Sequence, residues 1–144
     1  MMRSRWFPLL MLWLAALLAG PARAEAPVIL VLGDSLSAAY GIPAEQGWVS
    51  LLQRRLAERG FPHRVVNASI SGDTSSGGLS RLPAALDRER PAVVILELGA
   101  NDGLRGQPIP AMTANLARLI ELAQQAEAKV LLAEMRIPPN YGPL

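Results

Sequence analysis

The sequence contains no cysteine and only one histidine, His63, in 144 residues. The missing thiols exclude disulfide bridges, thiolate metal sites, a cysteine nucleophile and a lipidated N-terminal cysteine. No histidine and carboxylate cluster has the spacing of a metal site. No glycine-rich loop of the Walker or dinucleotide-binding type is present either, since Gly33 stands alone after the first apolar run. No cofactor or metal is therefore expected. Internal repeats, low-complexity tracts and linkers are also lacking, so the chain reads as one domain of a size that can bury an apolar core.

The apolar fraction is 51%, and its excess is concentrated at the start of the chain. Arg3 and Arg5 precede an uncharged apolar stretch, and Ala22-Arg23-Ala24 closes it with a small-residue cut site. This is the layout of a secretory signal cleaved after Ala24, which leaves residues 25–144 as the domain. The stretch holds Pro8 and is shorter than the ~20 residues a membrane span needs. Cleavage removes three of the 14 basic residues and none of the 12 acidic ones, so the net charge moves from +2 to near −1. No nucleic-acid footprint remains, because phosphate binding needs a clustered positive face. Arg54, Arg55, Arg59 and Arg81, Arg88, Arg90 are interleaved with Glu58, Asp87 and Glu89, as on solvated helix faces. The implied location is periplasmic or secreted, with the membrane met only through the transient signal.

Four apolar, mostly β-branched runs alternate with helical patterns. They are Val28-Ile29-Leu30-Val31-Leu32, Arg64-Val65-Val66-Asn67-Ala68, Ala92-Val93-Val94-Ile95-Leu96-Glu97-Leu98 and Lys129-Val130-Leu131-Leu132-Ala133. The first and third are continuous rather than alternating, as strands buried on both faces are. Trp48, Leu51, Leu52 and Leu56 mark a helix face, with Gly60 as its stop. Met112, Leu116, Leu119, Ile120 and Ala123 mark another. Between the second and third runs, Leu79, Leu82 and Leu86 fit a helix that Gly77-Gly78 and Pro83 interrupt. A mobile loop is predicted there, followed by a short helix opening near Pro83. The alternation predicts a three-layer α/β/α fold, a flavodoxin-like parallel sheet wound by right-handed crossovers. The chain stops just after its fourth run, while open sheets of this kind commonly carry about five or more. An incomplete C-terminus is therefore expected.

Each of the first three runs is followed by residues that carry chemistry: Gly33-Asp34-Ser35-Leu36-Ser37, then Ser71-Gly72-Asp73-Thr74, then Gly99-Ala100-Asn101-Asp102. In a parallel sheet these loops share one edge, where ligands bind. A serine on a tight strand-to-helix turn exposes its hydroxyl among outward-pointing N–H groups. The backbone N–H of Gly72, the amide of Asn101 and the N–H of Ser35 would suit a developing oxyanion. Singly, each could be an ordinary cap or turn; together, at one edge, they point to acyl transfer.

These three segments resemble blocks I, II and III of the SGNH or GDSL hydrolases. The finer pattern, Leu36-Ser37-Ala38-Ala39-Tyr40-Gly41 and Pro138-Pro139-Asn140-Tyr141-Gly142, is similar to the thioesterase I, lysophospholipase L1 and arylesterase branch. The resemblance runs from about Val28 to the end of the chain. It implies a serine esterase with Ser35 as nucleophile and Gly72 and Asn101 in the oxyanion hole, turning over an acyl ester or thioester through an acyl-serine. It implies sheet order 2-1-3-4-5. It also implies a mobile substrate-binding loop at Ser75, Ser76, Gly77, Gly78, Leu79 and Ser80, with Tyr141 lining the groove.

The family's general base is a histidine in an Asp-x-x-His block, and these 144 residues contain no such block. His63 lies before the second run, at the opposite sheet edge, where an exposed loop histidine is expected. Asp34, Asp73 and Asp102 lie at the right edge, but an aspartate does not replace an imidazole poised near neutral pH. Asp34 and Asp102 are expected to brace their loops instead. The 144 residues alone are accordingly expected to be nearly inactive on p-nitrophenyl esters. The alternatives are a catalytically dead pseudo-esterase that only binds acyl ligands and, last, a flavodoxin-like phosphate binder.

Overall fold

The structure, a computed structural model, describes residues 25–135; the segment predicted to be a signal, Pro139 and Tyr141 lie outside the described residues. Four parallel strands form one sheet in the order β2-β1-β3-β4: β1 (Val28–Gly33), β2 (Arg64–Asn67), β3 (Val93–Glu97) and β4 (Lys129–Leu132). This matches the expected α/β architecture over the described strands. Every residue of β1 is buried, which accounts for its unbroken apolar run. Leu30 and Leu32 join Val94 and Leu96 against Leu82, Leu86, Leu119 and Ala123, so one sheet face is covered by the second and fourth helices.

Helix α1 (Trp48–Glu58) follows a turn of 3₁₀ helix at Ala44–Gln46 and stops before Gly60, as its sequence predicts. Its buried residue is Val49, whereas Trp48 and Leu51 are exposed. The inward face is thus rotated from the predicted one. Gln53 lies on that face and fixes the start of β2, donating to the His63 carbonyl and accepting from the Val65 N–H.

The largest departure from expectation is helix α2 (Ser75–Glu89), where a mobile loop and a late, short helix are predicted. The helix starts at Ser75 because Thr74 caps it, its hydroxyl accepting from the Gly77 N–H at 3.2 Å. It then runs through Pro83. An interior proline costs about 3 kcal/mol. Leu82 is fully buried and Leu86 nearly so, and each such burial contributes about 1.5–3 kcal/mol. Packing therefore outweighs the local penalty. Gly77 and Gly78 signal close approach rather than motion. A Cβ on Gly78 would collide with Leu98 Cδ1 and lie 3.4 Å from Leu32 Cδ2, and one on Gly77 would collide with Asp73. Gly78→Val should therefore destabilise the domain by about 1–3 kcal/mol, despite glycine's poor helix propensity. The urea midpoint measures this, and an unchanged midpoint would show that α2 has room to move off the sheet.

The remaining helices are α3 (Ala100–Leu104) and α4 (Ile109–Gln125), the latter buried through Leu119 and Ala123 as its periodicity predicts. Among the described residues, no helix is long and apolar enough to cross a membrane.

Candidate active site

The three motif-bearing loops emerge together at the carboxyl edge of the sheet. Ser35 follows β1 in a run of turns across residues 35–41, and the next α-helix begins only at Trp48. The predicted strand-to-helix turn is thus a longer excursion. Ser35 is half-buried, and neither its hydroxyl nor its N–H has a hydrogen-bond partner among the described residues.

Gly72 sits in a turn closed by the Asp73 N–H donating to the Ile70 carbonyl at 3.0 Å. Its φ of +80° lies in the region that favours glycine. The Gly72 N–H is also unpartnered among the described residues, while its carbonyl accepts from Arg105 Nη2 at 2.7 Å.

Asn101 ties the loops together. Its Nδ2 donates to Asp34 Oδ2 at 3.0 Å and to the Asp73 carbonyl at 2.9 Å. One amide thus joins the neighbour of Ser35 to the neighbour of Gly72. Both Nδ2 hydrogens are committed, so donation to a third acceptor requires one of these bonds to be shared or exchanged. Sequence patterning gives no sign of this competition.

The aspartates brace their loops, as expected. Asp34 is 1% exposed, and its Oδ1 accepts from the Leu36 N–H at 3.0 Å. Asp73 pairs with Arg81. Asp102 is buried and holds the start of α2, accepting from Ser75 N–H at 2.8 Å and Ser75 Oγ at 2.6 Å. Asn115 of α4 completes this network by donating to Ser75 Oγ at 3.0 Å. Hydrogen bonds to a charged group contribute about 1.5–3 kcal/mol each. Asp102→Ala should therefore destabilise the domain by about 2–3 kcal/mol, with Asp102→Asn recovering part of the loss. Chemical denaturation tests this, and equal midpoints for wild type and Asp102→Ala would remove the brace.

The segment predicted to line the substrate groove is the first turn and a half of α2. Ser75 and Gly78 are buried, Leu79 packs on the core, and Ser80 donates to the Gly77 carbonyl. Ser76 lines a cavity of about 280 Å³ with Thr74, Arg105, Gln107 and Asn115. An apolar cavity of about 330 Å³ lies instead at the start of α3, lined by Leu98, Gly99, Ala100, Met112, Leu116 and Leu132. His63 lies at the far edge, before β2, as expected. It is half-buried rather than exposed, and Phe61 meets its ring edge-on at 6.1 Å.

Sequence reasoning missed Glu97, Ser37 and Trp48, which form a cluster behind Ser35. Ser37 Oγ donates to Glu97 Oε2 at 2.6 Å and accepts from Trp48 Nε1 at 3.2 Å. A signal was available, since a carboxylate is out of place in a strand run that is otherwise continuously apolar. Arg105 carried no comparable signal.

Comparison with known proteins agrees with this geometry. The model of the GDSL-like Lipase/Acylhydrolase family matches residues 31–144. "Esterase TesA" of Pseudomonas aeruginosa is 58% identical over 121 residues, covering 84% of this chain and 60% of that protein. "Thioesterase 1/protease 1/lysophospholipase L1" of Escherichia coli (strain K12) is 45% identical over 119 residues, covering 83% of this chain and 56% of that protein. Among solved structures, the psychrotrophic esterase EstA from Pseudoalteromonas sp., inhibited by monoethylphosphonate, superposes with a TM-score of 0.76 at 52% identity. That match covers 81% of this chain and 63% of the other. The chain thus spans a little under two thirds of the length of each. On the strength of a family match across most of its length and three motif loops converging at one sheet edge, the chain belongs to the GDSL-like lipase/acylhydrolase family.

Proposed function

We propose that this chain carries the nucleophile and oxyanion groups of a serine hydrolase acting on small acyl esters or thioesters. The Ser35 hydroxyl oxygen attacks the acyl carbon, the carbonyl electron pair moves onto oxygen, and the hydroxyl proton passes to a general base. Collapse of this intermediate expels the alcohol or thiol with a proton and leaves acyl-Ser35, which water then hydrolyses. The N–H groups of Ser35 and Gly72 and the amide of Asn101 are the donors for the oxyanion.

One observation carries this reading. Among the described residues, the Ser35 hydroxyl and the N–H groups of Ser35 and Gly72 stand unpartnered on turns whose neighbouring polar groups are engaged. Polar groups held by a rigid surround and left unsatisfied are suited to a reacting group. His63 is at the wrong edge to serve as base, and the family resemblance implies an Asp-x-x-His block for that role. The relatives bear the names of hydrolases, which favours turnover over storage of an acyl ligand. The apolar cavity at the start of α3 suits the acyl chain, Ser76 lines a second cavity, and the family resemblance implies Tyr141 as a further groove residue. Residues 1–24 serve as the export signal, placing the protein in the periplasm or outside the cell.

A p-nitrophenyl alkylphosphonate tests the reading, because its phosphorus accepts a serine oxygen and releases nitrophenolate. The adduct is expected on Ser35, within the tryptic peptide spanning residues 25–54 once residues 1–24 are removed. Modification confined to other residues, or none in a preparation that hydrolyses p-nitrophenyl esters, would refute it.

A further inference from the structure

Behind the nucleophile turn lies a buried titratable group that the proposed chemistry leaves unused. Glu97 ends β3 and is in register with Gly33 of β1. It is 6% exposed, and both donors that reach it come from the turn. Its Oε2 accepts the Ser37 hydroxyl at 2.6 Å and the Asp34 N–H at 3.3 Å. These two residues bracket Ser35. Its Oε1 is buried and has no partner among the described residues. There is no slack in the arrangement: a Cβ on Gly33 would lie 2.6 Å from Ser37 Oγ and 2.8 Å from Glu97 Oε2.

We propose that Glu97 is a positioning residue acting as a neutral acid, with Oε2 holding both ends of the Ser35 turn against β3 and a proton on Oε1. The proposal rests on the reading of Ser35 as nucleophile. An ionised Glu97 would bury one oxygen without a donor, close to the buried Asp34. Uncompensated burial of charge is among the costliest features a fold can carry. Among the described residues, the elements around Glu97 supply no compensating cation: β1 presents Gly33, α1 presents Trp48, and the turn presents Asp34, the titratable group facing it. A neutral acid still accepts through its carbonyl oxygen, though more weakly than a carboxylate, so the hold on the turn does not need the charge. Burial accordingly pushes the Glu97 carboxyl above its ordinary value. The Asp34 charge adds to the rise, while the bonds from Ser37 and the Asp34 N–H oppose it.

Amide exchange and tryptophan fluorescence of the full chain test both parts of the proposal. Glu97→Gln keeps a carbonyl acceptor and should leave exchange of the Asp34 amide within about twofold of wild type. Glu97→Leu should accelerate it by about tenfold, the loss of one hydrogen bond. Trp48 reports ionisation through Ser37, with Trp48→Phe supplying the background from Trp6 and Trp13. Its emission should step at a pH above the ordinary glutamate value of ~4.3, and the step should vanish in Glu97→Gln. Unchanged Asp34 exchange in Glu97→Leu at matched global stability would overturn the positioning role. A Trp48 step near the ordinary value, or one persisting in Glu97→Gln, would overturn the neutral acid. If Glu97→Leu does not fold, Ser37→Ala breaks the shorter bond to Glu97, together with the bond from Trp48, and leaves the Asp34 N–H bond in place. Exchange at residues 34–37 must then accelerate, or the proposal fails. These readouts follow the turn and not turnover, so a missing phosphonate adduct would remove the nucleophile reading without deciding the role of Glu97.

Discussion

Ser35→Ala is expected to abolish ester hydrolysis, on the order of 10⁶-fold where a general base is in place, while leaving folding stability unchanged. The first expectation follows from covalent catalysis. Without the hydroxyl there is no acyl-serine, and only the slow attack of water beside the oxyanion donors remains. The second follows from the structure. The Ser35 hydroxyl makes no hydrogen bond among the described residues, so truncation strands no partner. Substitutions of that kind usually stay within about 0.5 kcal/mol. Steady-state hydrolysis of a p-nitrophenyl ester and a urea titration would be run on the same preparations. A variant that hydrolyses at the wild-type rate removes Ser35 as nucleophile. One that loses both rate and stability shows that the hydroxyl is a structural partner.

Asn101→Ala should act on both rate and stability, and the split between them is informative. Loss of one oxyanion donor typically lowers kcat by about 10²–10³-fold, roughly 2.7–4 kcal/mol of transition-state stabilisation. The same substitution releases Asp34 Oδ2 and the Asp73 carbonyl. Buried Asp34 keeps only the Leu36 N–H as a donor to its side chain among the described bonds, so a stability loss of about 1–3 kcal/mol is expected as well. Rates are therefore to be normalised to phosphonate-titrated sites. If kcat per titrated site is unchanged while the denaturation midpoint falls, Asn101 only ties the loops. If kcat falls with KM little changed, one amide hydrogen leaves its resting partner to meet the oxyanion.

Much of the site was legible before the fold was. Ser35, Gly72 and Asn101 could be placed at one edge from sequence because a parallel sheet sends every strand-end loop in the same direction, and the apolar runs locate the strand ends. What could not be read was the set of partners those residues would take. Asn101 follows a strand of its own, and nothing near it in sequence indicates that Asp34 and Asp73 will claim both its hydrogens. Glu97 was visible as a charge in an apolar run, but its role depends on Gly33 across the strand pair and on Ser37 beyond it.

Helix α2 marks the other limit of sequence reading. Gly77, Gly78 and Pro83 argue locally for a loop, and a helix cut from the rest of the chain would be weakened there by about 1 kcal/mol per glycine and 3 kcal/mol for the proline. The fold overrides this because Leu82 and Leu86 are buried against the sheet and because the glycines let the helix approach Leu98 and Leu32. The sequence by itself determined where the strands lie and which sheet edge gathers their loops, since these follow from hydrophobic period and chain direction, which are local properties. The strand order and the reading of Ser35 as nucleophile came from the family resemblance. Tertiary structure alone decided whether 75–80 is loop or helix, which donors remain free, and what stands behind the Ser35 turn. Each of those depends on contacts between residues far apart in the chain, with Asp34 and Glu97 separated by 63 positions.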